Sequence, residues 1–492
     1  MNQALTKLQL ELSVLLLGLG VLVLDLWMPR ENRRKLAYLA AFGLGLMLLS
    51  SFVRSPFFMT FQSGELTFHG PDFVFGQSYV LDELAMFFKR IFLVAAAIVL
   101  LMSAEFAERI EAGLSEFYSL ILFALAGMMF AASANDFPMV FVSIELITIT
   151  FYILTSFQRN RLHSLEAGIK YLILGAFASA FMVFGIALIY GSSGTMSFGD
   201  LQAKAAGLAR QPVFLLGVLL LLAGLAFKIA AFPLHIWAPD VYQGAPPPVT
   251  AFLAVGSKAA GFVLLLRVLF NALPLELVTH WRGLLMAMAA VSILYGSLCA
   301  IPQRNLKRLL GYSSIANAGF LLLGIAALSN AGKTAVLYYL GGYLFTVLAA
   351  FTVICVVLRQ GEIEDLSALA GLHQRAPMLA TAMTLAMVSL AGIPPLAGFF
   401  GKFLLLRAII EQGSAYYWLT GVAIVGVVIS LYYYFGVIRA IYWGQEPADL
   451  SPLAVSWPTK ISLTICIAGM LYLGIYPATV LHMTDRVLAG WK

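Results

Sequence analysis

Five titratable side chains stand inside long apolar stretches of this chain: Glu145, Lys170, Lys228, Lys258 and Lys402. A charged lysine at the centre of a bilayer costs about 2.5–3.5 kcal/mol on insertion scales, and more by simulation. Packing alone does not offset such a cost, whereas moving protons or cations through a membrane needs groups of this kind. Lys228 and Lys258 flank a broken stretch, Phe232-Pro233-Leu234-His235. Burial disfavours a charged amine and a nearby carboxylate restores it. At about 6 Å and an effective dielectric of about 20, a Glu145–Lys228 attraction would be roughly 3 kcal/mol. Moving or neutralising the carboxylate would then switch whether the amine keeps its proton. The plainer alternative is a static ion pair that fixes helix register.

Lys258 has no acidic neighbour in its own helix, and its small neighbours (Ala254, Gly256, Ser257, Ala259, Ala260, Gly261) leave room for close helix approach or a file of water. It could be a snorkelling lysine, but it stands about ten residues into its span, far from an interface. Lys170 follows Glu166 by four residues, so a local salt bridge competes with a role in the path. Lys402 follows Pro395 by seven residues and suits either the end of a path or an interfacial anchor. His235 titrates near neutrality when unperturbed, as a relay group should. A core histidine donating to a freed carbonyl is the alternative.

Other chemistries find no support. The three cysteines, Cys299, Cys355 and Cys466, are far apart and form no C-x-x-C pair, which argues against iron–sulfur and zinc sites. The six histidines are equally scattered. Gly18-Leu19-Gly20 lacks the third glycine of a dinucleotide fingerprint, and there is no P-loop. A net charge of +6 could suggest nucleic acid, but the basic residues are spread through short loops, the pattern that orients a membrane protein.

The elements that must carry these groups are membrane helices. Of 492 residues, 61% are hydrophobic and 11% charged, with mean hydropathy +0.92; soluble domains are nearer half apolar and a quarter charged. Apolar runs of bilayer length predict an all-α polytopic membrane protein with about fourteen transmembrane helices. Residues 10–28 are long enough to remain as a first span rather than a cleaved leader. The segment near 54–80 alternates aromatic and polar residues (Phe57, Phe58, Phe61, Phe68, Phe73, Phe75) and predicts a small hairpin outside the membrane.

Two predicted spans are interrupted, 212–239 by Pro233 and 377–411 by Pro394 and Pro395. Proline removes a helical hydrogen bond and clashes with the carbonyl four residues back, which frees the carbonyls of Ile229, Leu390 and Ala391. Free carbonyls at membrane depth are tolerated only against protein or water. Paired broken helices in two halves of a chain point to a transport path and an internal repeat. Basic residues gather after the first span (Arg30, Arg33, Arg34, Lys35), the fifth (Arg159, Arg161) and the ninth (Arg304, Lys307, Arg308). Despite Lys89 and Arg90, the even loops are poorer. Odd loops are therefore expected in the cytoplasm and both termini outside.

The order and spacing of Ile144-Glu145-Leu146, Glu166-Ala167-Gly168-Ile169-Lys170-Tyr171, Ala226-Phe227-Lys228, Phe232-Pro233-Leu234-His235-Ile236-Trp237-Ala238-Pro239-Asp240, Ser257-Lys258, Lys307-Arg308-Leu309-Leu310-Gly311-Tyr312-Ser313-Ser314, Gly392-Ile393-Pro394 and Gly401-Lys402-Phe403 resemble the antiporter-like membrane subunits of proton-pumping NADH–quinone oxidoreductase, respiratory complex I. The resemblance covers nearly the whole chain. Within that family it is similar to the N type: Lys402 stands where the M type is expected to carry glutamate, and no long lateral helix follows the last span as in the L type. The one departure is the proline-rich Ala245-Pro246-Pro247-Pro248, which should only stiffen a loop.

The resemblance implies two inverted five-helix repeats, 116–270 and 283–443, after an N-terminal three-helix segment at 1–115 and before a C-terminal helix in 444–492. It implies a hydrated axis with Glu145 and Lys228 as coupling pair, Lys258 as central relay, Lys402 on the exit side, and Lys170 and His235 in support. It further implies no cofactor in this chain. Flavin, iron–sulfur clusters and quinone are expected in partner subunits, and M-type, K-type and L-type chains, the last through its lateral helix, as neighbours in a bacterial inner membrane. Two other readings stay open: a subunit of an Mrp-type cation/proton antiporter, and a structural membrane spacer whose charges only fix helix register. Sodium coordination would want several oxygen ligands at one depth, and an unpaired Lys258 suits a spacer poorly.

Overall fold

Hydrocarbon offers no partner for backbone N–H and C=O groups, so a chain this apolar must satisfy them inside helices. A computed structural model shows it doing so over residues 2–53, 59–62, 65–68, 71–110, 113–360, 364–444 and 450–490. The helices that build the bundle and its two breaks are α1 Gln9–Asp25, α2 Arg34–Val53, α3 Glu83–Glu105, α4 Leu114–Ala132, α5 Phe137–Thr155, α6 Leu162–Ser193, α7 Pro212–Ile229, α8 Trp237–Gly244, α9 Pro247–Ala272, α10 Leu275–Ala300, α11 Leu306–Ala326, α12 Asn330–Gln360, α13 Pro377–Ala391, α14 Ala397–Ile410, α15 Tyr417–Trp443, α16 Trp457–Ile475 and α17 Pro477–Ala489.

Local sequence sets the ends. Asp82, Asp136 and Asn305 cap α3, α5 and α11, each side chain accepting a backbone N–H from three residues on, at 2.8, 2.8 and 3.0 Å. Left-handed residues close α6 (Gly194), α7 (Ala230) and α13 (Gly392).

Among the described residues, 12 helices rather than about fourteen are long and apolar enough to cross a membrane by themselves. The difference has a physical cause. The expected first span falls on α1, only 17 residues long, and the expected span 377–411 is divided by its prolines into α13 and α14. Two β-hairpins occupy the segment expected to hold one: Met59–Gln62 pairs with Glu65–Phe68, and Asp72–Val74 with Tyr79–Leu81, both antiparallel. Phe57 and Phe58 lie outside the described residues.

At the centre, α9 is buried along its whole apolar stretch and α11 nearly so, while α6, α15 and α16 keep wide outward faces. Close helix approach depends on small residues. Where α6 crosses α7, an ideal Cβ placed on Gly185 would lie 2.6 Å from the Gly217 carbonyl oxygen.

The N-terminal helices hold buried charge that the loop-charge count mistook. Lys89 belongs to α3, is fully buried, and pairs with Glu11 of α1 at 2.7 Å, with the Tyr79 hydroxyl donating to Glu11 at 2.9 Å. Arg267 at the end of α9 is held by both Asp82 oxygens (2.7 and 3.0 Å) and by the Ala132 carbonyl at 2.7 Å.

Candidate functional site

The two helix breaks have the same build. α7 ends at left-handed Ala230 (φ 57°), followed by a cis Phe232–Pro233 bond, and α8 resumes at Trp237. α13 ends at left-handed Gly392 (φ 82°), followed by a cis Pro394–Pro395 bond, and α14 resumes at Ala397. A freed carbonyl finds a side-chain partner at the second break. Lys402 Nζ donates to the Leu390 carbonyl at 2.6 Å, one of the oxygens expected to be released. At the first break the Trp237 indole donates to the Phe227 carbonyl at 3.0 Å, and the Ser292 hydroxyl accepts the Phe232 N–H at 2.9 Å.

The structure places Lys228, Lys258 and Lys402 in the protein interior, each at most 4% exposed. Among the described residues none reaches a carboxylate; each rests on neutral oxygen. Lys228 donates to the Thr148 hydroxyl at 3.0 Å. Lys258 donates to the Ser314 carbonyl at 2.7 Å and to the Ser314 hydroxyl. That hydroxyl meets the Tyr242 hydroxyl at 2.8 Å. A π-helical turn, Leu253–Ser257, immediately precedes Lys258 in α9; such turns often mark functional positions. The stem of Lys228 packs beside Gly261, three residues beyond Lys258, with an ideal Gly261 Cβ only 3.2 Å from its Cγ. This brings the two lysines to adjoining turns of the α7–α9 contact.

Glu145 and Lys228 are not brought into an ion pair. Glu145 is half-buried and accepts from Ser179 of α6, in a cleft of about 800 Å³ between α5 and α6. Thr148, the partner of Lys228, lies one helical turn along α5 from Glu145. Lys170 stands apart from the buried lysines: its side chain is 42% exposed and bridges Glu166 and Asp240, both at 2.7 Å. Arg308 holds the other Asp240 oxygen at 2.5 Å. His235 is buried, neither ring nitrogen has a hydrogen-bond partner among the described residues, and the ring lies edge-on to Tyr295 at 4.4 Å.

Sequence reasoning missed a polar file on α11. Ser313 meets the Tyr434 hydroxyl at 2.5 Å, and Asn317 accepts from the Tyr339 hydroxyl at 2.6 Å and approaches Tyr434 at 3.5 Å. With Ser314 at one end and the Phe320 ring 4.8 Å from Lys402 Nζ at the other, α11 spans the interval between Lys258 and Lys402. The recurrence of Ser313, Ser314, Asn317 and Phe320 at helical spacing was the available signal.

It also missed Lys307, read as a loop charge. The Asn305 cap starts α11 at Leu306, so Lys307 is buried, donating to the Ala245 carbonyl at 3.1 Å and pairing with Glu364 at 3.1 Å. Burial pushes the Glu364 carboxyl up, but Lys307, Arg161 and Asn305 together outweigh it and hold the group below the usual carboxylate range. Among the described residues no three His, Cys, Asp or Glu side chains gather as metal ligands.

The family described as "NADH:quinone oxidoreductase/Mrp antiporter, TM" matches residues 134–430. Subunit N of the NADH-quinone oxidoreductase of Moorella thermoacetica is 42% identical over 470 residues, 96% of this chain and 95% of that one. A chain in the respiratory complex I of Thermus thermophilus is 32% identical, with a TM-score of 0.78 over 96% of this chain and 98% of that one. A chain of the Mrp complex from Dietzia sp. DQ12-45-1b gives a TM-score of 0.83 over 98% of this chain and 97% of that one, at 20% identity, a likeness of fold alone. The chain belongs to the NADH:quinone oxidoreductase/Mrp antiporter family of multi-pass membrane proteins.

Proposed function

We propose that this chain is the N-type proton-translocating subunit of an NADH–quinone oxidoreductase, respiratory complex I. One observation carries the reading: three lysines buried among the central helices rest on neutral hydroxyl or carbonyl oxygens and, among the described residues, on no carboxylate. A spacer that used charge to fix register would pair it.

In this reading Lys228 releases its proton when the charge at Glu145 changes. The proton passes across the Gly261 contact to Lys258, then along Ser314, Ser313, Tyr434 and Asn317 towards Lys402. Glu145 acts on Lys228 through space and through Thr148 rather than by contact. Lys170 and His235 support the path from its edge. Each proton moved outward costs about 2.3 kcal/mol per 100 mV, so the energy released by quinone reduction must reach this chain as displaced charge.

The chain itself performs no redox chemistry. NADH, flavin, iron–sulfur clusters and quinone belong to partner subunits, and M-type and K-type chains and the lateral helix of an L-type chain are its neighbours. The like-built breaks at Pro233 and at Pro394–Pro395 support inverted repeats over 116–270 and 283–443. The protein lies in a bacterial inner membrane with both termini on the outer side. An Mrp-type antiporter is the weaker reading, because the buried sites are amines rather than clustered oxygen ligands for sodium.

Lys228→Ala in the assembled complex tests the proposal. Proton pumping and coupled quinone reductase activity should fall while electron input to an artificial acceptor persists. Full coupled turnover in the variant would overturn the role. Purification with antiporter subunits alone would overturn the assignment to complex I.

A further inference from the structure

The helix that carries Lys402 begins without a cap of its own. α14 opens after Leu396, whose side chain offers no acceptor to the N–H groups of the first turn. Ser, Thr, Asp or Asn ordinarily serves at that position. Here the acceptor comes from another helix. The Ser389 hydroxyl, in the last turn of α13, takes the Gly398 N–H at 3.2 Å. It also meets the Thr346 hydroxyl of α12 at 2.9 Å, and Thr346 donates in turn to the Gly342 carbonyl at 2.9 Å. A hydroxyl has one proton to give, so the chain has a direction: Gly398 N–H to Ser389, Ser389 to Thr346, Thr346 to Gly342. Ser389 and Thr346 are at most 1% exposed, and neither has a part in the proposed relay.

This chain ends beside the second break's lysine contact. Ser389 directly precedes Leu390, whose carbonyl accepts from Lys402. Gly398 lies one helical turn before Lys402 on α14. Two ties therefore join the same pair of helix ends, Ser389 to Gly398 and Leu390 to Lys402. The packing between them leaves no slack: an ideal Cβ on Gly398 would collide with the Ser389 carbonyl, and one on Gly392 would lie 3.1 Å from Lys402 Cδ. The first break is tied in a like manner, with the Ser292 hydroxyl of α10 accepting the Phe232 N–H. A cap needed only to satisfy an N–H could be local. One drawn from α13 and backed by α12 also fixes where α14 sits along its axis, and with it the reach of Lys402.

We propose that Ser389 and Thr346 are positioning residues for Lys402. Their hydroxyl chain holds α14 in the register at which the Lys402 amine meets the Leu390 carbonyl, the contact from which it takes and yields its proton. This role rests on the proposed relay through Lys402.

The test is proton pumping by the assembled complex in vesicles, with paired variants. Thr346→Val keeps the side chain's shape and removes the hydroxyl; Thr346→Ser keeps the hydroxyl and removes a methyl. Thr346→Val and Ser389→Ala should each slow pumping and coupled quinone reduction about two- to tenfold, the rate equivalent of one neutral hydrogen bond. Their combination should cost little more than either alone, because both break one chain. Thr346→Ser should pump near the wild-type rate, and electron flow from NADH to ferricyanide should persist in every variant. Wild-type pumping in Thr346→Val, equal losses in Thr346→Val and Thr346→Ser, or losses that multiply in the double variant would overturn the proposal. Thr346→Val stands one helix away from the break, so it decides the matter even if Ser389→Ala fails to assemble. Lys402→Ala, measured alongside, separates this proposal from the relay. Loss of pumping there with full pumping in the hydroxyl variants would remove the positioning role alone. Full pumping in Lys402→Ala would overturn the step through Lys402 and the positioning role with it.

Discussion

Ser314→Ala is the sharpest probe of the relay, because it alters one hydroxyl and leaves every lysine in place. Lys258 Nζ has two oxygen acceptors on Ser314, the carbonyl at 2.7 Å and the hydroxyl. The substitution removes the second and also the link to Tyr242. A hydrogen bond to a charged group contributes about 1.5–3 kcal/mol. At about 1.4 kcal/mol per tenfold in rate, transfer through Lys258 should slow roughly ten- to a hundredfold. Proton uptake by reconstituted complex, followed with a pH-sensitive dye, should fall together with coupled quinone reduction, while electron flow from NADH to ferricyanide stays intact. Ser314→Thr keeps the hydroxyl and should restore most of the rate. The orphaned Tyr242 hydroxyl costs about 1–3 kcal/mol of stability, so subunit content of the purified complex is measured alongside. Wild-type pumping in Ser314→Ala would refute a path through this hydroxyl.

Three further outcomes follow from the packing and the charge. Gly185→Ala places a methyl 2.6 Å from both the Gly217 oxygen and the Leu221 nitrogen. It should lower thermal stability by about 1–3 kcal/mol, whereas Gly191→Ala, whose methyl meets nothing within 4 Å, should be silent in the same melt. Asp82→Asn strands the fully buried Arg267 at about 3–5 kcal/mol, and the double change Asp82→Asn, Arg267→Met should recover much of the assembled complex on a native gel. Glu364 is held below the usual carboxylate range. Its contribution is therefore complete above its unfolded value of about 4.3 and is lost as pH falls through the lower folded value. Wild type and Glu364→Gln should differ in melting temperature at neutral pH and converge only in acid below about pH 4; a constant gap down that range would refute the ion cluster.

Much of the fold was readable because membrane helices obey length and hydropathy, and because proline leaves its own signature. Pro233, Pro394 and Pro395 marked both breaks, and the Leu390 carbonyl they were expected to free is the one Lys402 uses. The buried state of Lys228, Lys258 and Lys402 was readable from apolar flanks alone. Contacts across helices were not, since spacing within a helix says which residues share a face but not what that face meets. Glu145 and Lys228 were expected to interact across about 6 Å; their hydrogen-bond partners, Ser179 and Thr148, were not foreseen. Lys170 looked equally deep, yet it sits in the opening turns of α6 with two carboxylates. Lys89 looked like loop charge because its partner, Glu11, is 78 positions away.

The division between paired and unpaired charge follows from magnitude. A carboxylate about 4 Å from an ammonium, at an effective dielectric of about 20, holds it by about 4 kcal/mol. That exceeds the roughly 2.3 kcal/mol needed to move one charge through 100 mV, so a lysine in such a pair would keep its proton through the cycle. A neutral oxygen holds an ammonium by about 1.5–3 kcal/mol, comparable with the driving energy and therefore reversible. The structure sorts its buried charge along this line. Glu11–Lys89, Asp82–Arg267, Glu105–Arg359 and Lys307–Glu364 each join two elements with full charge on both sides. Among the described residues, Lys228, Lys258 and Lys402 hydrogen-bond to Thr148, Ser314 and the Leu390 carbonyl. Charges that hold helices are paired; charges that exchange protons in the proposed relay are left to oxygens weak enough to let go.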